Sequence, residues 1–170
     1  MSFADALAQV LAREGGWYPG DRPSDPNPTM QGIIQRTYDA YRDERRLPHR
    51  SVQQIEESEV AAIYRMKYWI PIRGEDLPPQ TAIAVFDMAV NSGPVQAIKT
   101  LQMTIGATPD GLMGPSTIAH VAAFNDAALV QDFLWQRVAF YARLCRAKPI
   151  KLPELPGWLR RLELLREAVR

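Results

Sequence analysis

The fold class turns on the stretch Thr81-Ala82-Ile83-Ala84-Val85-Phe86-Asp87-Met88-Ala89-Val90-Asn91-Ser92-Gly93-Pro94. Ala82, Val85, Phe86, Ala89 and Val90 recur at i, i+3, i+4, i+7 and i+8, which predicts a strongly apolar helix at the centre of the molecule. Ser92-Gly93 stops it, and Pro94 is placed to open the next helix, where its missing N–H is not needed. Asp87 and Asn91 fall four residues apart on one face of this apolar segment. Buried there, a carboxylate and an amide both require partners.

Working outward, the same periodicity recurs. Ser2 is a plausible N-cap for a first helix with Phe3, Leu7, Val10 and Leu11 on one face, stopped by Gly15-Gly16 with Glu14 at its C-terminal end. Residues 17–31 carry four prolines and read as loop with a short irregular hairpin. Further helices are expected at 34–46, 56–69, 94–105, 115–124 and 126–146. A proline-spaced linker (Pro149, Pro153, Pro156) then leads to a last helix at 157–169. No long alternating pattern of a strand occurs, so the class is all-α. The acidic run Glu56-Glu57-Ser58-Glu59 reads as a solvated helix start favoured by the helix dipole.

With 170 residues, 46% hydrophobic and 23% charged, the chain is an ordinary globular one. Its net charge of +1 hides an asymmetry: residues 137–170 carry nine Lys/Arg against three Asp/Glu. The last helix aligns Trp158, Leu162, Leu165 and Val169 in one apolar stripe beside Arg160, Arg161, Arg166 and Arg170. Two readings stay open: the stripe docks on the body with solvated arginines, or the basic helix makes peripheral contact with an anionic wall or membrane surface. The single cysteine, Cys145, excludes an internal disulfide and reads as a packed thiol. His49 and His120 lack partners at ligand spacing, so no metal and no cofactor are expected. A nucleic-acid partner is not expected either, and the chain reads as a monomer. The segment MSFADALAQVLAREGG lacks the features of a signal peptide. Synthesis in the cytoplasm without a signal peptide is therefore expected.

The sharpest chemical signal is Glu14-Gly15-Gly16-Trp17 followed by a polar loop holding Asp21, Asp25 and Thr29. A carboxyl at a helix C-terminus meets the negative end of the macrodipole, and aromatic neighbours such as Trp17 and Tyr18 would desolvate it. Both effects favour the proton-bearing form that a glycosidic oxygen needs from a general acid. The glycines allow a sharp turn and close approach of a polysaccharide.

Glu14-Gly15-Gly16-Trp17, Asp25-Pro26 and Thr29-Met30-Gln31-Gly32-Ile33 together resemble the signature of family 108 of the glycoside hydrolases. The likeness continues through Ile63-Tyr64, Tyr68-Trp69 and Phe86-Asp87-Met88-Ala89-Val90-Asn91-Ser92-Gly93. Leu101-Gln102 and Asp110-Gly111-Leu112-Met113-Gly114-Pro115-Ser116-Thr117 are similar to the predicted peptidoglycan-binding segment that accompanies that family of phage endolysins and bacterial muramidases.

The resemblance implies a lysozyme-like, two-lobed fold, with a muramidase segment over 1–92 and a peptidoglycan-binding-like segment over 93–170 completing one unit. It implies an endolysin-type N-acetylmuramidase acting on peptidoglycan glycan strands in the periplasm or wall, reached by holin-type or other non-Sec release. Glu14 is then the acid, with Asp25 and Thr29 as the second catalytic group, and Asp21 as the rival to Asp25. Trp17, Asn91 and Tyr68 are the expected substrate contacts, Tyr68 either a sugar platform or a core residue, and Asn91 either bonding an N-acetyl group or bracing the core. Gln31 departs from the large apolar residue often found before that glycine and reads as a local packing or substrate-contact difference. Two other functions remain: a silent wall-binding module that keeps the fold, and a lytic transglycosylase with a lone glutamate.

Overall fold

The computed structural model describes residues 2–20 and 27–169. The described residues include eight α-helices and one small antiparallel sheet. Helix α1 (Phe3–Glu14) opens on a reciprocal cap: Ser2 Oγ accepts from the Asp5 amide, and Asp5 accepts from the Ser2 amide at 2.9 Å. It ends where Gly15 takes φ 74°, a left-handed conformation. The sheet follows as β1 (Trp17–Tyr18), β2 (Thr29–Met30) and β3 (Ile33–Ile34), with Trp17 opposite Met30 and Thr29 opposite Ile34. It extends beyond the expected 17–31 hairpin, because Gln31-Gly32 forms a second two-residue turn.

Helices α2 (Gln35–Glu44) and α3 (Glu57–Tyr64) lead into a π-helical turn, Arg65–Trp69. Then come α4 (Pro79–Ser92), α5 (Pro94–Thr104), α6 (Pro115–Ala122), α7 (Asp126–Ala147) and α8 (Leu155–Ala168). As expected, α4 is the central helix, with every residue from Thr81 to Ala89 buried. It packs on α1, α5 and α7. Asp126, at the start of α7, accepts from the Gln80 and Thr81 amides at 2.9 Å, so the N-terminus of α4 is capped by a distant acid. Phe3, Trp69 and Phe86 form an aromatic cluster joining α1 to α4, the last two edge-to-face at 5.2 Å. Cys145 is buried, as a packed thiol should be.

Two local expectations are corrected. The proline-spaced linker is a 3₁₀ helix, Pro149–Glu154, that runs directly into α8 two residues earlier than periodicity indicates. Pro156 fits in the first turn of α8 because no backbone acceptor awaits its nitrogen there. The acidic run is not wholly solvated. Glu59 is buried and accepts from Tyr38 at 2.6 Å, Arg42 at 2.7 Å and Arg50 at 2.7 Å, pinning α3 to α2. The terminal helix docks through Leu162, Leu165 and Val169, all buried, while Trp158 stacks on Tyr141 at 4.8 Å.

Burial raises the Glu59 carboxyl, but the Tyr38 hydroxyl, the Glu56 amide and Arg50 outweigh it and hold it at about 2, below the usual 4.5. A depressed pKa contributes stability that is complete above the unfolded value and is lost as pH falls toward the folded one. Unfolding free energy is therefore expected to drop between pH 4.5 and about 2 in part because of this group. Glu59→Gln should lower stability at pH 7 by about 3–5 kcal/mol, the cost of stranding a buried partner, and should flatten that acid limb. Urea unfolding at several pH values measures both effects.

Candidate active site

Glu14 ends α1 and points between the hairpin and the terminal helix. Its Oε1 accepts from Arg161 Nη1 at 2.6 Å, across 147 residues of sequence. Its Oε2 lies against Gly32: a Cβ added there would sit 2.8 Å from Oε2 and 2.8 Å from the Tyr64 hydroxyl. The Tyr64 hydroxyl donates to the Gln31 carbonyl at 2.8 Å, tying the hairpin turn to α3. Gln31 and Gly32 both hold positive φ, 49° and 74°. A type I′ two-residue hairpin turn requires this at both positions, and it is an uncommon conformation for glutamine. The turn thereby brings backbone, with no side chain in the way, against the carboxyl.

Arg161 also donates through Nε to both oxygens of Asp87, at 2.9 and 3.0 Å. Asp87 is fully buried and receives Arg137 Nη1 at 2.7 Å, with Arg13 3.9 Å away. Arg137 Nε donates to the Tyr141 hydroxyl at 2.8 Å, and that hydroxyl donates to Asn91 Oδ1 at 2.7 Å. One polar chain thus runs Glu14, Arg161, Asp87, Arg137, Tyr141, Asn91 through the apolar interior. Burial raises the Asp87 carboxyl, but Arg137 and Arg161 overcome this and lower it below the ordinary range. Burial opposes the charge of Arg161, and Asp87 and Glu14 outweigh that, so its pKa is raised. The Tyr64 and Tyr68 hydroxyls are both raised, first by burial and then by the charge of Glu14. Both hydroxyls therefore stay neutral.

Of the residues singled out in the sequence, Trp17 stands exposed on β1 and Thr29 half-buried on β2, opposite Tyr18 and Ile34. Both belong to the sheet whose second turn touches Glu14. Tyr68 is half-buried with its ring 5.5 Å from that of Tyr64. Asn91 is half-buried at the end of α4, braced by Tyr141 and Ser92. Asp25 and Asp21 lie outside the described residues. Among the described residues, no group of three or more His, Cys, Asp or Glu could hold a metal ion, and no helix is long and apolar enough to cross a membrane.

Periodicity alone does not single out Arg13, Arg137 and Arg161, and the last was expected to be solvated if its helix docked. The signal for Arg161 was present: it stands three residues after Trp158 and four before Leu165, on the apolar stripe itself. A charged residue at such a position needs a buried partner.

A part-buried carboxyl between a polar hairpin and a helical body makes this the candidate site for acid–base chemistry. The family model described as "Glycosyl hydrolase 108" matches residues 7–93, and one described as "Predicted Peptidoglycan domain" matches residues 96–163. The chain belongs to glycosyl hydrolase family 108, as its motifs imply, and is a peptidoglycan-degrading glycoside hydrolase with a following peptidoglycan-binding segment. The mainly helical, lysozyme-like fold agrees with that membership. Among solved structures, "Structure of Brucella abortus SagA" is similar at 30% identity and a TM-score of 0.82, over 98% of this chain and 92% of that one. Comparison with the curated proteins finds no match.

Gly32→Ala tests the close approach at the carboxyl. The new methyl must displace Glu14 or Tyr64, and a misplacement near 1 Å costs on the order of 100-fold in rate. The strain of a left-handed alanine should cost about 1–2 kcal/mol of stability. Rate on purified peptidoglycan should thus fall far more than the melting temperature does. A normal rate would show that the turn does not position the carboxyl.

Proposed function

We propose that the protein is an endolysin-type N-acetylmuramidase that hydrolyses the β-1,4 bond between N-acetylmuramic acid and N-acetylglucosamine. The observation that carries this reading is the asymmetric setting of Glu14. Arg161 holds Oε1, while Oε2 is directed at the glycine backbone of the hairpin turn. Oε2 is then the oxygen that carries the proton to the leaving glycosidic oxygen. The carboxylate left behind is stabilised by a guanidinium already in place, which requires no reorganisation.

The hairpin loop supplies the second group: Asp25 as base for the attacking water, with Thr29 orienting that water from β2. Such a pair acts by inversion, in which the two carboxyl groups leave room for a water between them. In this reading Trp17 and Tyr68 present ring surface to the sugars, and the Asn91 amide bonds an N-acetyl group. The substrate meets the protein at the wall, and the outward arginines of α8 add attraction for its anionic groups.

Glu14→Gln keeps an acceptor for Arg161 but has no transferable proton. Release of reducing ends from purified peptidoglycan should fall by roughly 10²–10⁴-fold, with the fold intact by circular dichroism. Asp25→Ala should also remove most activity, and NMR of fresh product from the native protein should show inverted anomers. Near-normal hydrolysis by Glu14→Gln would end the assignment of the acid. Anhydro-muramic products in the digest would replace hydrolysis by transglycosylation.

A further inference from the structure

A cavity of about 360 Å³ opens on the side of Arg161 that is lined by α1, the end of α4 and the start of α8. Arg13, Arg160, Arg161, Asn91 and Trp158 wall it, and no acidic side chain among the described residues does. The charges behind this wall do not balance. Arg13, Arg137 and Arg161 converge on Asp87, Glu14 engages only Arg161, and Arg160 stands at the rim with no ion pair among the described residues. Three guanidinium groups therefore gather around two carboxylates, with Arg160 beside them on the cavity wall. Their donors are not all used either: Arg137 Nη2 and Arg161 Nη2 are buried with no acceptor among the described residues. The hydrogen bonds to Asn91 end on its Oδ1, which leaves the Nδ2 donor available to the cavity.

Partly buried guanidinium groups in excess of their counter-charges favour an anion, and arginine pairs best with the planar fork of a carboxylate. Arg13 feels this crowding. Burial lowers its pKa first, Asp87 opposes, and Arg161 and Arg137 lower it further. Trp158, braced flat against Tyr141, supplies an apolar wall for the part of a ligand that carries the acid.

Resting on the muramidase reading, we infer that this cavity is a carboxylate subsite that takes the acidic substituent of muramic acid. Because Arg161 touches both the cavity and Glu14, a carboxylate seated there fixes a muramyl residue beside the acid. Peptidoglycan is thereby distinguished from uncharged glycans of N-acetylglucosamine. The carboxylate has two sources: the free lactyl group of a bare muramic acid, or the glutamate of a peptide stem once the lactyl group is amidated.

Three monosaccharide probes without a glycosidic bond separate these cases, titrated calorimetrically into the native protein. N-acetylglucosamine is uncharged, N-acetylmuramic acid has a free lactyl carboxylate, and N-acetylmuramoyl-L-alanyl-D-glutamate carries only stem carboxylates. One or both acidic probes should bind roughly 10–100-fold more tightly than N-acetylglucosamine, the effect of one charge-assisted hydrogen bond. Which of the two it is identifies the source. Arg160→Gln, at an exposed position of α8, should remove most of that preference without weakening the neutral sugar, and Arg160→Lys should restore part of it. Equal binding of all three probes, or an equal loss of all three in Arg160→Gln, would overturn the subsite. Because the probes cannot be cleaved, preference for the acids with no hydrolysis of peptidoglycan would defeat the muramidase reading and leave the subsite standing.

Discussion

The interaction on which the rest depends is the burial of Asp87 in the middle of α4. A lone carboxylate at that depth would be prohibitively costly, so the chain must bring cations to it. It does so from three places: Arg13 near the end of α1, Arg137 in α7, and Arg161 in α8. Each arrives from a different part of the sequence, and Arg161 pairs with Glu14 as well. The packing of three helices around α4 is therefore specified by charge as well as by shape. A shift of α8 by one residue would strand Arg161 and leave Asp87 with fewer counter-charges.

That constraint reaches the chemistry because Arg161 has a second role. Its Nε serves Asp87 and its Nη1 serves Glu14, so the orientation of the carboxyl at the end of α1 is fixed by the last helix of the chain. On its other side the carboxyl meets Gly32 of the hairpin turn, so closely that no Cβ fits there. One oxygen is held by Arg161 and the other lies against the turn. The segment matched as a peptidoglycan domain is thus structurally part of the site, since residues 96–163 include both Arg137 and Arg161.

Much of this was legible in the sequence. The 3.6-residue pattern from Ala82 to Val90 located the central helix, and the presence of Asp87 and Asn91 within it announced buried polar partners. Gly15-Gly16 correctly ended the first helix at Glu14. The partners themselves were not legible, because pairing between residues 50 and 74 positions apart leaves no local trace. Glu59 was hidden for a different reason. An acid at a helix start satisfies the dipole whether exposed or buried, so its partners Tyr38, Arg42 and Arg50 had to be seen together in space. Arg161 lay in plain view on the apolar stripe of α8, but among several arginines its phase had to be weighed against its charge. The extra strand, β3, depends on glutamine accepting a positive φ, which composition alone does not suggest.

A double-mutant cycle between Asp87 and Arg161 tests this arrangement most directly. Asp87→Asn, Arg161→Met and the double variant are compared by urea unfolding at pH 7. If the pair anchors α8 to the core, the two single changes should be strongly non-additive, with a coupling of about 1–3 kcal/mol. Additivity within about 0.3–0.5 kcal/mol, the range for independent sites, would contradict the view that this charge pair fixes the last helix against the centre of the fold.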